Sequence, residues 1–174
     1  MVALQLQLEY AFGLRTQEAM LLRPHLAEQG EWLEVNWGTK GGRPRRVPIE
    51  TASQRDILET AKRLARHRHS STIPARYTLK AWKHHYYYVL RCCGITRQDG
   101  IVAHGLRHGY ANQRYETLAG QPSPVRGGKS GQLSRDADRK ARLDVSRQLG
   151  HARASITSAY CGALRRTDSQ KQSR

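Results

Sequence analysis

Three short segments and one tyrosine carry residue types suited to handling a phosphodiester. The segments are Gly13-Leu14-Arg15-Thr16-Gln17-Glu18, His104-Gly105-Leu106-Arg107 and Leu149-Gly150-His151, and Tyr160 follows His151 by nine residues. A guanidinium is planar, permanently charged and bidentate, so Arg15 and Arg107 suit the non-bridging oxygens of a phosphate. Arg107 lies one helical turn after His104, which puts both on one helix face. A tyrosine oxygen can attack phosphorus and hold it as an ester. A free tyrosine ionises only near about pH 10, so neighbouring cations must help it. By residue type alone the nucleophile stays open among Tyr86, Tyr87, Tyr88, Tyr110, Tyr115 and Tyr160. Lys40 sits in a Gly-rich stretch with Arg43, Arg45 and Arg46. Its flexible ammonium suits proton donation to a leaving oxygen, and it equally suits a plain phosphate contact.

Charge points to the same partner. Of 174 residues, 30 are Lys or Arg and 14 are Asp or Glu, for a net +16. A balance this basic favours a polyanion, with nucleic acid first. The charge is uneven: net −1 over residues 1–60, +9 over 61–120 and +8 over 121–174. At 38% hydrophobic residues the chain is too apolar for a disordered tail. It has no apolar run near the roughly 20 residues that span a bilayer, and no secretion signal is expected. Cys92, Cys93 and Cys161 do not read as a disulfide framework, which implies a reducing, cytoplasmic setting. His67, His69, His84 and His85 lack companions at metal-ligand spacing. No phosphate-binding Gly-rich loop indicates ATP use. Neither metal nor cofactor is expected.

These residues need elements to hold them. A helix is predicted over 3–12, with Leu4, Leu8 and Ala11 or Phe12 on one stripe and Gly13 as its stop. Thr16 is expected to cap a second short helix that ends near Leu22, ahead of Pro24. Glu18, in its first turn, reads as a structural partner of Arg15. Residues 32–37 and 45–49 read as the strands of a hairpin with Lys40 near its tip. Further helices are predicted over 52–68, 78–93, 104–118 and 136–149. A last one is capped by Ser155 and carries Ile156, Ala159, Tyr160, Ala163 and Leu164. Cys92 and Cys93 are expected to pack. Residues 121–134 are rich in Gly, Pro and Ser and read as a loop, and Thr167–Arg174 as a polar tail. At this length one domain is the default. The fold class is α+β, mainly helical, with a small antiparallel sheet.

The order GLRxxE, HxLR, LGH and then Tyr resembles the catalytic domain of the tyrosine recombinases, the lambda-type integrase family. The resemblance covers Leu4 to Leu164, and Lys40 before the Arg45-Arg46-Val47-Pro48 strand strengthens it. It implies a catalytic domain over 1–174 that recombines double-stranded DNA, as in a phage or mobile-element integrase, without metal or ATP. Arg15, His104, Arg107 and His151 would bind the scissile phosphate as four cationic groups. Lys40 would act as general acid, and Tyr160, at the family's spacing after LGH, as nucleophile. The resemblance further implies self-association into a tetrameric synapse on DNA, with the segment after Tyr160 docking on a neighbour. Two departures are expected: no N-terminal core-binding domain, and an insertion over 121–142. Arg43, Arg45, Arg46, Arg126 and Lys129 are expected DNA contacts. A type IB topoisomerase-like strand cleaver and a non-catalytic DNA-binding relic are the alternatives.

Overall fold

The computed structural model describes residues 1–100, 102–129 and 132–163. The chain divides into two compact units, Met1–Tyr110 and Ala111–Arg174. Each is described by itself.

The N-terminal unit opens with α1 (Val2–Phe12), which Gly13 ends in the left-handed region at φ 59°. Such a residue is almost free of strain only as glycine. Here an added Cβ would also lie 2.5 Å from the Tyr110 ring. The short helices α2 (Thr16–Leu21) and α3 (Pro24–Ala27) follow. Arg15, with extended backbone, occupies the cap position of α2 expected for Thr16. The Thr16 hydroxyl donates instead to Glu9 at 3.1 Å.

A three-stranded antiparallel sheet comprises β1 (Glu28–Gln29), β2 (Trp32–Val35) and β3 (Arg45–Pro48), in that order. The sequence pattern does not announce the edge strand β1. Leu33 pairs with Val47, and Val35 with Arg45. Leu33, Val35, Val47 and Arg45 are all buried, while the alternate pair Glu34 and Arg46 forms an ion pair at 2.8 Å.

Helices α4 (Ala52–Leu64) and α5 (Leu79–Cys92) complete the scaffold. Thr51 and Thr78 cap them by accepting from the Gln54 and Ala81 amides. Helix α4 stops earlier than expected, before Arg66, which has φ 48°. On α5, Trp82, Tyr86 and Leu90 are buried with Met20 and Ala103. Cys92 and Cys93 are exposed, not packed, because the helix ends there and Gly94 turns the chain away at φ 70°. Helix α6 (His104–Ala119) runs from the N-terminal unit into the C-terminal one.

The C-terminal unit packs Ala111, Tyr115, Ala141, Val145, Leu149 and Cys161. Its long helix is α7 (Arg135–Gln148), capped by the Ser134 side chain. Residues 135–142, counted within the insertion expected over 121–142, form the first half of this helix, which the sequence predicts over 136–149. The single last helix expected from Ser155 is instead a 3-10 turn, Ala154–Thr157, followed by the short α8 (Ser158–Cys161). Gly162 ends α8 with φ 75°. Leu164 and the 165–174 tail lie outside the described residues. Among the described residues no helix is long and apolar enough to cross a membrane.

Candidate active site

In the N-terminal unit the site is organised around one buried carboxylate, Glu18. It accepts the Arg15 backbone N–H and the Arg15 Nη1, both at 2.7 Å. It also accepts both terminal nitrogens of Arg45, at 2.7 and 2.6 Å. Arg107 Nη1 lies 3.9 Å away. Burial opposes the charge on Glu18, but the Arg45 fork and then Arg15 overcome it and hold its pKa below the usual carboxylate value. The paired arginines favour its anion, and it is a partner of Arg15, as its place in the first turn of α2 suggested.

The three arginines differ in access. The Arg15 side chain is 24% exposed. Arg107 is fully buried and donates to the Gly13 carbonyl, which fixes the turn in front of Arg15. Arg45, expected to touch DNA, is buried against Glu18 instead. The reason is strand phase: Arg45 alternates with Val47 on the inward face, whereas Arg46 points out. A second buried carboxylate, Glu9, supports the same turn. It accepts from Thr16 and, at 2.7 Å, from the Tyr86 hydroxyl. Burial pushes its pKa up to about 7, although both hydrogen bonds pull the other way.

Lys40 is exposed in the 3-10 turn Lys40–Gly42 between β2 and β3, as expected of a hairpin tip. What seats that turn is Gly38, at φ 73°. A Cβ there would lie 2.8 Å from the Gln17 carbonyl oxygen. The approach to the Lys40 turn thus rests directly on the backbone of α2, two residues after Arg15. Arg43 and Arg46 are exposed on the same hairpin.

His104 begins α6 and stands edge-on to His108, with ring centroids 5.2 Å apart. Burial, then the neighbouring His108, Arg107 and Arg15, hold its pKa below the ordinary histidine value.

The C-terminal unit brings His151 and Tyr160 together. Gly150 has φ 73° and the His151 amide donates to the Ser146 carbonyl at 2.8 Å. The two rings lie 6.3 Å apart between centroids and are tilted by 44°. Tyr160 is partly exposed. Several of its rivals are taken up inside the fold. Tyr86 is buried and held far above the ordinary tyrosine pKa by burial and by Glu9. Tyr115 is buried, donates to Asp138 at 2.6 Å and is pushed up to about 12 by burial and that carboxylate. Tyr110 is buried against Gly13. Tyr87 and Tyr88 are exposed on α5. Arg126 and Lys129 are exposed, and Arg126 lies 4.0 Å from Glu116. Among the described residues no cluster of three His, Cys, Asp or Glu is placed to hold a metal.

The family model described as Integrase matches residues 1–113. The chain belongs to the integrase family. These are the tyrosine recombinases that the four motifs resemble. The matched region contains Arg15, Lys40, His104 and Arg107, and it ends before His151 and Tyr160. Among solved structures, the XerH site-specific recombinase bound to a palindromic difH substrate, in a post-cleavage complex, has a similar fold. The TM-score is 0.57 at 16% identity, and the match covers 98% of this chain. The chain spans 43% of the length of that protein. No curated protein matches by sequence.

Proposed function

We propose that this chain is the catalytic part of a site-specific DNA recombinase that cuts and rejoins strands through a 3′-phosphotyrosyl intermediate. The observation that carries the reading is the pairing of His151 with Tyr160 at a ring separation of 6.3 Å. Within the N-terminal unit, Glu18 and Arg107 hold the turn that carries Arg15.

Arg15 contacts the non-bridging oxygens of the scissile phosphate. Arg107 holds the turn that carries Arg15 and adds its charge from within. His104 and His151 hydrogen-bond the same phosphate. The Tyr160 hydroxyl gives its proton to solvent water, and its oxygen attacks phosphorus. The P–O5′ bond breaks as the P–O(Tyr) bond forms, and Lys40 gives its proton to the departing 5′ oxygen. The ester retains the bond energy. A 5′ hydroxyl from a second strand reverses the same step, so neither ATP nor a metal is consumed. Arg43, Arg46, Arg126 and Lys129 contact the DNA backbone, and copies of the protein assemble on DNA into a tetrameric synapse.

The test is covalent trapping. Nicked duplexes tiled across the DNA flanking the coding sequence are incubated with the protein, denatured and run on a gel. A retarded protein–DNA band that survives denaturation is expected, and it should form in excess EDTA. EDTA-sensitive cleavage with no adduct would refute the mechanism.

A further inference from the structure

The segment after α6, which the sequence marks as an insertion, is tied to the backbone that carries Tyr160. The Asn112 side chain donates to the Tyr160 carbonyl at 3.1 Å. Its other end, Oδ1, accepts from the fully buried Ser123 hydroxyl. Ser123 opens the 3-10 turn Pro124–Arg126. The Gly128 amide closes that turn on the Ser123 carbonyl at 3.0 Å. The turn then packs on the residue that ends α8: a Cβ on Gly162 would lie 3.1 Å from the Val125 nitrogen.

A second anchor comes from α7. Arg142 donates to the Gly162 carbonyl at 2.9 Å. Asp138 holds Arg142 through its Nε at 2.9 Å, and the Tyr115 ring lies under its guanidinium. Cys161 is buried, with Sγ 3.7 Å from the Ala111 carbonyl. Three consecutive residues, Tyr160 to Gly162, are thus each fixed by a different partner. A helix of four residues has little stability of its own, so these anchors set where the phenol stands.

We propose that Pro122–Gly128, with Asn112 and Arg142, is a clamp that positions Tyr160 for attack. The proposal rests on the reading of Tyr160 as nucleophile. It gives the inserted turn a task beyond any DNA contact by Arg126 and Lys129. Asn112, Ser123 and Arg142 are positioning residues, because each acts through the Tyr160–Gly162 backbone and not on DNA. A displacement of about 1 Å at a reacting atom can cost about a hundredfold in rate.

The experiment measures single-turnover adduct formation and DNA affinity for the full chain and for Asn112→Asp, Ser123→Ala and Tyr160→Phe. Asn112→Asp keeps shape but sets an oxygen against the Tyr160 carbonyl. We expect its cleavage rate to fall at least tenfold and that of Ser123→Ala severalfold, with DNA affinity unchanged. Thermal unfolding checks that each variant is folded. Should Asn112→Asp fail to fold, Ser123→Ala, which removes one oxygen, decides. Wild-type cleavage rates in the folded variants, with Tyr160→Phe inactive, would overturn the clamp and leave the nucleophile standing. An adduct formed by Tyr160→Phe would instead overturn the nucleophile reading. Loss of DNA affinity in step with rate would also overturn the clamp.

Discussion

Replacing Glu9 by Gln should stabilise the protein above neutral pH and do almost nothing in acid. Glu9 is 1% exposed, and its carboxyl ionises near 7 instead of near 4.5. Between those two values the folded chain holds a proton that the unfolded chain has lost, so stability falls as pH rises through this window. Above pH 7 the full penalty is about 3 kcal/mol. A neutral Gln never incurs it. Its oxygen can still accept from the Tyr86 hydroxyl, but the Thr16 hydroxyl must turn from donor to acceptor toward the new NH₂ group. A disturbed buried hydrogen bond costs about 1 kcal/mol, which leaves a gain of about 2 kcal/mol at pH 8. At pH 4 both side chains are neutral and the gain should vanish or become a small loss. Urea unfolding of the two proteins at pH 4, 6 and 8 measures this directly. A difference that does not change with pH would refute the argument, as would a Gln variant less stable at pH 8.

Other outcomes concern the N-terminal unit and the turn at 122–128. Lys40→Ala should slow cleavage of an ordinary phosphodiester far more than of a substrate with a 5′-thiolate leaving group, which departs without a proton. Gly38→Ala should share that leaving-group dependence, because it unseats the Lys40 turn from the Gln17 backbone; equal slowing on both substrates would reassign Lys40 to phosphate binding. Arg45→Met should destabilise the fold by about 3 kcal/mol, since it leaves the buried Glu18 short of its bidentate partner, and urea unfolding gives the number. Removing Arg126 and Lys129 should lower the slope of log affinity against log salt by about one for each DNA phosphate they neutralise; an unchanged slope in a filter-binding titration would exclude the pair from the DNA interface.

Much of this is legible in the sequence wherever one residue type serves one purpose. Periodic apolar residues mark α1, α4, α5, α6 and α7 to within a few residues, because their inward stripes and capping Thr and Ser residues act locally. Arg45 is misplaced by composition, which counts an arginine as surface charge. Its phase with Val47 is the available signal: an arginine on the buried face of a strand demands a buried carboxylate, and Glu18 is that partner. Gln5 and Glu9 carry a similar signal. Both lie on the stripe of Leu4, Leu8 and Phe12, where a polar residue must find partners. They find them in Thr72, Trp82, Tyr86 and Thr16, which sequence distance hides. The turn at 122–128 looks like a plain loop because its contacts, Asn112 and Gly162, lie outside it. The two-residue strand β1 has no periodicity to detect.

The whole proposed mechanism turns on Tyr160 as the group that attacks phosphorus. Tyr160→Phe removes one oxygen and leaves the ring, so the packing of Cys161 and the anchors on the backbone remain. Wild type and Tyr160→Phe are incubated with the same nicked duplexes in excess EDTA, denatured and run side by side, and peptide mapping then locates any DNA-linked residue. A covalent adduct at Tyr160 is expected for wild type, and none for the Phe variant although it still binds DNA. An adduct that persists in the Phe variant, or one that maps to Tyr87 or Tyr88, would contradict it.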